Sequence, residues 1–169
     1  MRQSLWAFSL GFYGLPGVAA ACLRCQDEAD ADVNLLLLLL WKAGSGIRVA
    51  QPDIESLDTL VRDWREHVVK PLRQLRRRLK TVDGDLFAEA ASLREMIKAA
   101  ELEAERQEQE ALSRHALSVA HEQTSSADEA ARANVAAYEA VIGRTLPADA
   151  VGVLLTALAS LPGGYRTNS

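Results

Sequence analysis

A polar segment, residues 26–34, stands immediately before the most apolar stretch of the chain, the six leucines at 35–40. Carboxylates beside an apolar wall are groups whose pKa can rise and which can then transfer protons. The simpler interpretation is that an aspartate caps the following helix and that a buried Asn34 hydrogen-bonds carbonyls of the turn. We favour the simpler interpretation, and we name Asp27, Asp32 and Asn34 as the candidates for catalysis or small-molecule binding.

Two cysteines, Cys22 and Cys25, form a C-x-x-C pattern. Thiols at this spacing on a helix could do redox chemistry or supply two zinc ligands. No histidine follows closely to shuttle a proton, and the three imidazoles of the chain lie at His67, His115 and His121. We therefore interpret the pair as two small buried residues of a packed helix. Two thiols exclude a disulfide framework and suit a reducing cytoplasm.

A group of glutamates between residues 101 and 110, followed by His115 and His121, could suggest a carboxylate-bridged metal site. Helical bundles of that kind place a histidine three residues after a glutamate, and no glutamate here has that spacing. Asp63 and His67 make a single i,i+4 pair, which is weak evidence. We therefore predict no metal and no cofactor.

A basic run at residues 73–80 contributes the cations of a candidate interaction face: Arg73, Arg76, Arg77 and Lys80. The run lacks interleaved aromatic residues and the whole chain has a net charge of −4, so we do not expect nucleic-acid binding. An amphipathic basic helix could instead dock on another protein or on a membrane surface.

The elements that would position these groups are helices, because alanine and leucine dominate and no stretch alternates apolar and polar residues for long. The leucine run must be surrounded on every side, and it is far shorter than the roughly 20 residues that span a bilayer. It is therefore predicted to be the central helix of a folded core. The predicted helices are a short one capped by Ser4, one from Val18 to about Glu28, the leucine helix capped by Asp30 or Asp32 and ending at Gly44, one opened by Pro52 and kinked at Pro71, a long one from Leu86 to about His121, one from Ser126 to Gly143, and a last one from Pro147 to Leu161.

Apolar spacing predicts which faces are buried. In the helix after Pro52 the buried positions would be Ile54, Leu57, Val61, Trp64 and Val68. In the long helix a coiled-coil-like seam would use Leu86, Ala90, Leu93, Ile97, Ala100 and Ala104.

Charge is divided between two neighbouring helices: residues 62–80 are strongly basic and residues 83–110 strongly acidic. A short turn joins them, so an antiparallel hairpin would place the two sets of charges side by side. We predict that they match within the molecule, with each exposed pair contributing about 0.2–1 kcal/mol.

The chain is thus predicted to be all-α, with three segments. Residues 1–82 form a compact N-terminal helical core, residues 83–123 a long helix that packs back on it, and residues 124–169 an Ala-rich helical pair and tail. The N-terminus weakly resembles a signal peptide, but glycines and prolines interrupt its apolar stretch and its aromatic residues suit a packed helix.

The segments LPGVA, ACL, QD, DVNLLL and W, in that order between Leu15 and Trp41, resemble a bacterial family of short helical proteins known only as a domain of unknown function. The resemblance covers roughly residues 4–115. It implies that the N-terminal segment belongs to the mature domain. It supplies no activity, cofactor or catalytic residue.

The absence of a Gly-rich phosphate loop, a nucleophile elbow and an HExxH motif favours a non-enzymatic role. We predict a cytoplasmic protein-interaction or regulatory protein that uses the hairpin or the Ala-rich helices to bind a protein partner or a second copy of itself. The alternative is a small helical enzyme, or a ligand- or metal-binding protein, with its site at residues 26–34.

Overall fold

The structure is a computed structural model that describes residues 4–82, 87, 89–116, 121–123 and 126–161. The fold is all-α, with one small two-stranded sheet. Its helices are α1 (Leu5–Tyr13), α2 (Val18–Ala29), α3 (Val33–Ala43), α4 (Gln51–Trp64), α5 (Lys70–Arg78), α6 (Ala90–His115), α7 (Ala127–Ile142) and α8 (Ala148–Ser160), and its strands are β1 (Ile47–Val49) and β2 (His121–Gln123).

Three predicted helix starts are confirmed by their caps. The Ser4 hydroxyl accepts a hydrogen bond from the amide of Ala7, and the Ser126 hydroxyl accepts one from Glu129. Asp32, rather than Asp30, caps α3. These short side chains satisfy amides of the first turn that have no partner within the helix.

The leucine helix α3 lies at the centre, as predicted. Its six leucines are buried, and α1, α2, α6 and α7 pack around it. Helix α8 packs against α2, so helices from all three predicted segments contribute to one buried cluster. The division into segments itself stays a prediction. No single helix in the described ranges is long and apolar enough to cross a membrane, whereas the bent pair of α1 and α2 satisfies the same length and composition test.

The helix continues past Pro71 rather than ending there, as predicted. A π-helical turn, Arg65–Val69, joins α4 to α5, and the amide of Lys70 bonds the carbonyl of Arg65 five residues back. Proline lacks an amide proton and clashes with the preceding turn, which explains the wider turn. The prediction for Trp64 was wrong, because this residue is 37% exposed. The buried face instead continues through Arg65 and Val69.

The predicted end of the long helix was also wrong. Helix α6 ends at His115, and residues 121–123 form β2, which pairs antiparallel with the predicted connector at β1. A buried Asn134 holds β1 in place: its side chain accepts from the amide of Val49 at 2.8 Å and donates to the carbonyls of Leu39 and Ile47 at 3.0 Å each. Leu86, the predicted start, lies outside the described residues.

The predicted apolar seam of α6 was wrong as well, except at Ala104, which is buried. Leu93 and Ala100 are exposed, and none of residues 90–100 is buried. The buried residues of α6 are Glu101, Ala104, Glu108, Gln109 and Leu112. The second half of α6 packs with α3 and α5, whose polar side chains provide partners for the glutamates.

The predicted charge match is confirmed. Arg73 contacts Glu101 at 3.2 Å and Glu105 at 2.7 Å, and Arg76 also contacts Glu101. The basic residues of α5 thus lie beside the acidic residues of α6. Unlike the exposed pairs that we expected, these side chains are largely buried.

Candidate functional site

Asp32, at the start of α3, is held by hydrogen bonds from its own helix, from Arg65 and from Tyr138. Its Oδ1 accepts from the amides of Asn34 and Leu35, at 2.9 and 3.2 Å. Its Oδ2 accepts from Nη1 of Arg65 at 2.8 Å, and its own amide donates to the Tyr138 hydroxyl at 2.7 Å. The carboxylate is therefore both a helix cap and one half of a buried ion pair.

Arg65 joins this carboxylate to a second one. Its Nη1 donates to Asp32 and to Asp58, each at 2.8 Å. Burial alone would lower the pKa of Arg65, but the two neighbouring carboxylates raise it further than burial lowers it. Burial likewise opposes ionisation of Asp58, and the guanidinium groups of Arg62 and Arg65 nevertheless hold its pKa below the usual value. Both residues therefore keep their charges.

Glu108, from α6, is the most unusual titratable group at this site. Its residue is 2% exposed. Its Oε2 accepts from Nδ2 of Asn34 at 3.2 Å, whereas Oε1 is buried and receives no hydrogen bond from any described residue. Burial raises the pKa of Glu108, and the negative charge of Asp32 and a hydrogen bond to it raise that pKa further. In the folded protein Glu108 therefore favours its protonated form, next to the Asp32 carboxylate.

A chain of buried amides and a hydroxyl extends from this carboxyl pair. Nε2 of Gln109 donates to Oδ1 of Asn34 at 2.9 Å, and the Ser9 hydroxyl donates to Oε1 of Gln109 at 2.8 Å. Asn34 therefore connects α3 to α6, and through Gln109 to α1. The expectation that it would bond carbonyls of the preceding turn was wrong, because two side chains of α6 occupy its amide instead.

A pocket of about 210 Å³ opens over the carboxyl pair. It lies between the polar segment, the π turn, α5 and α6. Four basic side chains line it, namely Arg65, Lys70, Arg73 and Arg77, together with four acidic ones, namely Asp27, Asp30, Asp32 and Glu108. If Glu108 keeps its proton, the lining has one more positive than negative charge.

The structure brings Asp27, Asp32 and Asn34 to the same pocket but not into one cluster. Asp27 lies at the rim, where its carboxylate accepts from Nη2 of Arg77 at 3.0 Å and both side chains are about half exposed. Burial opposes the ionisation of Asp27, but the hydrogen bonds from Arg77 and Gln26 outweigh it and lower its pKa. The carboxyl that pairs with Asp32 is Glu108.

Three of the four residues of the predicted basic face form ion pairs, and the fourth is exposed to solvent. Arg73 and Arg76 contact glutamates of α6, Arg77 contacts Asp27, and Lys80 is exposed. Whether this face binds a protein stays a prediction.

The two cysteines are buried free thiols in α2. Burial raises the pKa of Cys22 to about 12 and that of Cys25 to about 11, so both thiols stay protonated. Within the part of the chain that the structure describes, no group of three or more acidic, histidine or cysteine side chains is arranged to hold a metal ion.

Of the site residues that were missed from the sequence, two carry a signal there. Glu108 lies four residues after Ala104 and four before Leu112, so it falls on the apolar stripe of α6. Arg65 lies four residues after Val61 and so continues the buried face of α4. A charged residue in the apolar phase of a helix is a candidate for a buried pair.

A family model described as "Protein of unknown function (DUF2390)" matches residues 4–112. The chain belongs to this family. The match confirms the resemblance seen in the sequence, and it includes Asp32, Arg65 and Glu108, whereas Tyr138 lies beyond it. Comparison with curated proteins and with solved structures gives no match.

Proposed function

We propose that this protein binds a small acidic molecule in the pocket over Asp32 and Glu108. The observation that carries the proposal is a pair of buried carboxyl groups, Asp32 and Glu108, in the wall of a pocket lined with basic side chains. Buried, strongly perturbed carboxyl groups in a concave site are typical of binding and catalytic centres.

The charges at the rim support an acidic ligand. Lys70 pairs with Asp30 and Glu66, and Arg77 pairs with Asp27, but the three carboxylates are between 41% and 60% exposed. Such pairs contribute little in water, so an incoming carboxylate or phosphate can replace the aspartate at small cost. Glu108 also lines the pocket, and its raised pKa lets it donate a proton to the ligand or take one up from it.

The proposal is tested by titrating ¹⁵N-labelled protein with inorganic phosphate and with succinate. We expect saturable shifts of the Asn34 side-chain amide and of the backbone amides at 32–35. The double variant Lys70→Ala, Arg77→Ala should abolish these shifts. Arg106→Ala, which removes a cation of α6 that does not line the pocket, is the matched control and should retain them. The proposal is wrong if neither anion shifts these signals at millimolar concentration.

The first half of α6 favours a second candidate, a helical interaction protein that binds a second copy of itself. Leu93 and Met96 are exposed there, at 46% and 66%. Glu95 and Lys98 flank Met96, and an antiparallel copy whose two-fold axis passes between Met96 and Ile97 would place each Glu95 opposite the partner's Lys98.

The two reduced, buried thiols support the cytoplasm as the proposed compartment.

This candidate is tested by sedimentation equilibrium of the wild-type protein and of Met96→Glu. We expect a dimer that the substitution converts to a monomer, because a charge at the two-fold axis would face its own copy. Leu60→Glu changes a leucine of similar exposure on α4 and should leave the dimer intact. A wild-type protein that is monomeric at sub-millimolar concentration would exclude this candidate.

A further inference from the structure

A second, larger cavity of about 520 Å³ lies between α1 and α6, with Leu37 of α3 among its lining residues. Its apolar lining comes from Trp6, Leu10, Tyr13, Leu23, Leu37 and Leu102. Leu10, Leu23 and Leu102 come from three different helices, and each is about half exposed. A volume of this size lies in the range that holds small organic ligands.

The larger cavity adjoins the polar pocket. Gln26, Val33, Asn34 and Arg73 line both of them. The two cavities are therefore neighbours that share these four residues, with the polar pocket over the carboxyl pair on one side and the apolar groove between α1 and α6 on the other. Arg73 lies at the boundary, with its Nε on Glu101 and its Nη2 on Glu105.

We infer that the ligand is an amphipathic acid, with its acidic group beside Arg73 and Arg77 and its hydrocarbon chain in the groove between α1 and α6. This inference rests on the proposed function, because it places the acidic group in the same polar pocket. It adds the apolar part of the ligand and the residues that bind it.

Two observations favour this class over a purely polar anion or a cationic amphiphile. The exposed leucines of the groove offer apolar surface that a hydrocarbon chain would remove from water, which a purely polar ligand cannot do. The charged side chains of the larger cavity are Arg73, Arg76 and Lys98 against Glu101 and Glu105, so the excess charge is positive there as well.

The inference is tested with decanoate, below its micelle concentration, on the double variant Trp41→Phe, Trp64→Phe. This variant leaves Trp6, in the groove, as the single tryptophan. We expect a saturable change in Trp6 fluorescence with decanoate. Nonyltrimethylammonium, with the same nine-carbon chain and the opposite charge, should bind at least about tenfold more weakly, a difference of about 1.4 kcal/mol.

A charge in the groove provides the structural control. Leu102→Asp should weaken decanoate binding about tenfold or more, because the hydrocarbon chain would lie against a carboxylate. Leu60→Asp, a leucine of similar exposure outside both cavities, should leave the affinity unchanged. Both positions are at the surface, so both variants should fold, which circular dichroism can verify.

The outcomes separate this inference from the proposed function. If phosphate and succinate bind at the polar pocket but decanoate binds no more tightly than succinate, the inference is wrong and the proposed function stands. If decanoate binds Leu102→Asp as tightly as the parent, the groove does not hold the chain and the inference is again wrong. If no anion of any kind binds, both are wrong.

Discussion

The two halves of α6 belong to one helix and are both rich in charged residues, yet they contribute to the fold in opposite ways. In residues 90–100 acidic and basic side chains are mixed and no residue is buried, although the apolar spacing of this half predicted a seam. Residues 101–112 carry still more glutamates, and this half buries Glu101, Glu108 and Gln109. The more acidic half is the one that packs.

The difference lies in the partners rather than in α6 itself. Glu101 meets Arg73 and Arg76 of α5, and Glu108 meets Asn34 of α3. In the first half, Glu95 meets cations of its own helix, Arg94 and Lys98. Buried pairs of this kind repay their desolvation cost poorly, and we interpret them as selecting the register of α6 against α3 and α5. The carboxyl pair of the candidate site depends on that register.

The largest loss of stability should come from shortening Leu112, the fully buried leucine in the second half of α6. Leu112→Ala should lower the free energy of unfolding by about 2–5 kcal/mol, because Leu112 is fully buried and the shortened side chain leaves a cavity. Leu102→Ala, at a half-exposed leucine of the same helix, should cost less than about 0.5 kcal/mol. Urea denaturation of both variants measures the difference. If both substitutions lower the free energy of unfolding equally, then the difference in burial between Leu112 and Leu102 does not determine their contribution to stability.

The next effect should come from the ion pairs with α5. Glu101→Gln should cost about 2 kcal/mol, because Arg76 would lose its acidic partner and Arg73 would retain Glu105 alone in a largely buried setting. Glu103→Gln changes an exposed glutamate two residues away and should give no measurable loss. Denaturation midpoints at low and at high salt measure both. A loss for Glu101→Gln that disappears at high salt would indicate that the pair is exposed to solvent.

A smaller effect, visible in its pH dependence, is expected for Glu108→Gln. The folded state raises the pKa of Glu108, so the folded protein binds a proton that the unfolded chain releases above about pH 4.3. The stability that this proton contributes is present at low pH and is lost as the pH rises towards the raised pKa. From about pH 5 to about pH 7 the wild-type protein should therefore lose about 1 kcal/mol or more relative to Glu108→Gln, whose amide also donates to Asp32 but does not titrate.

The measurement is urea denaturation of both proteins at each pH. Taking the difference between them removes the contribution of the other titrating groups. Glu103→Gln is the control and should follow the wild-type curve. A difference that stays constant across this pH range would show that Glu108 is already ionised in the folded protein.

Local features of the fold could be predicted from the sequence because their causes lie within a few residues. Ser4, Asp32 and Ser126 cap helices by bonding amides two or three positions away, and the π-helical turn directly precedes the turn that contains Pro71. The polar segment could be chosen as a candidate site for the same reason. It stands at the start of a helix that must be buried.

The partners across the fold could not be predicted in this way. Glu108 lies 74 residues after Asn34, and nothing near either residue specifies that they meet. The pairing of Arg48 with Glu122 is equally remote, and it depends on α6 ending at His115 rather than continuing. The apolar seam failed because Leu93 has the right spacing but stays exposed among the described residues. Apolar periodicity shows which side of a helix could be buried, but that side is buried only where another helix or strand packs against it.

The smallest expected change in stability, that of Arg106→Ala, best tests the comparison between the exposed and the buried glutamates of α6. Arg73 and Arg106 each place Nη2 at 2.7 Å from a glutamate Oε1, of Glu105 and Glu103 respectively. The first pair is largely buried, whereas the second lies on the exposed face of α6 and can be replaced by water. Arg106→Ala should therefore leave the urea midpoint unchanged at low salt, while Arg73→Ala should lower it clearly. If the two substitutions lower the midpoint equally, the distance between the charges decides their contribution, and the distinction between the two kinds of glutamate on α6 is wrong.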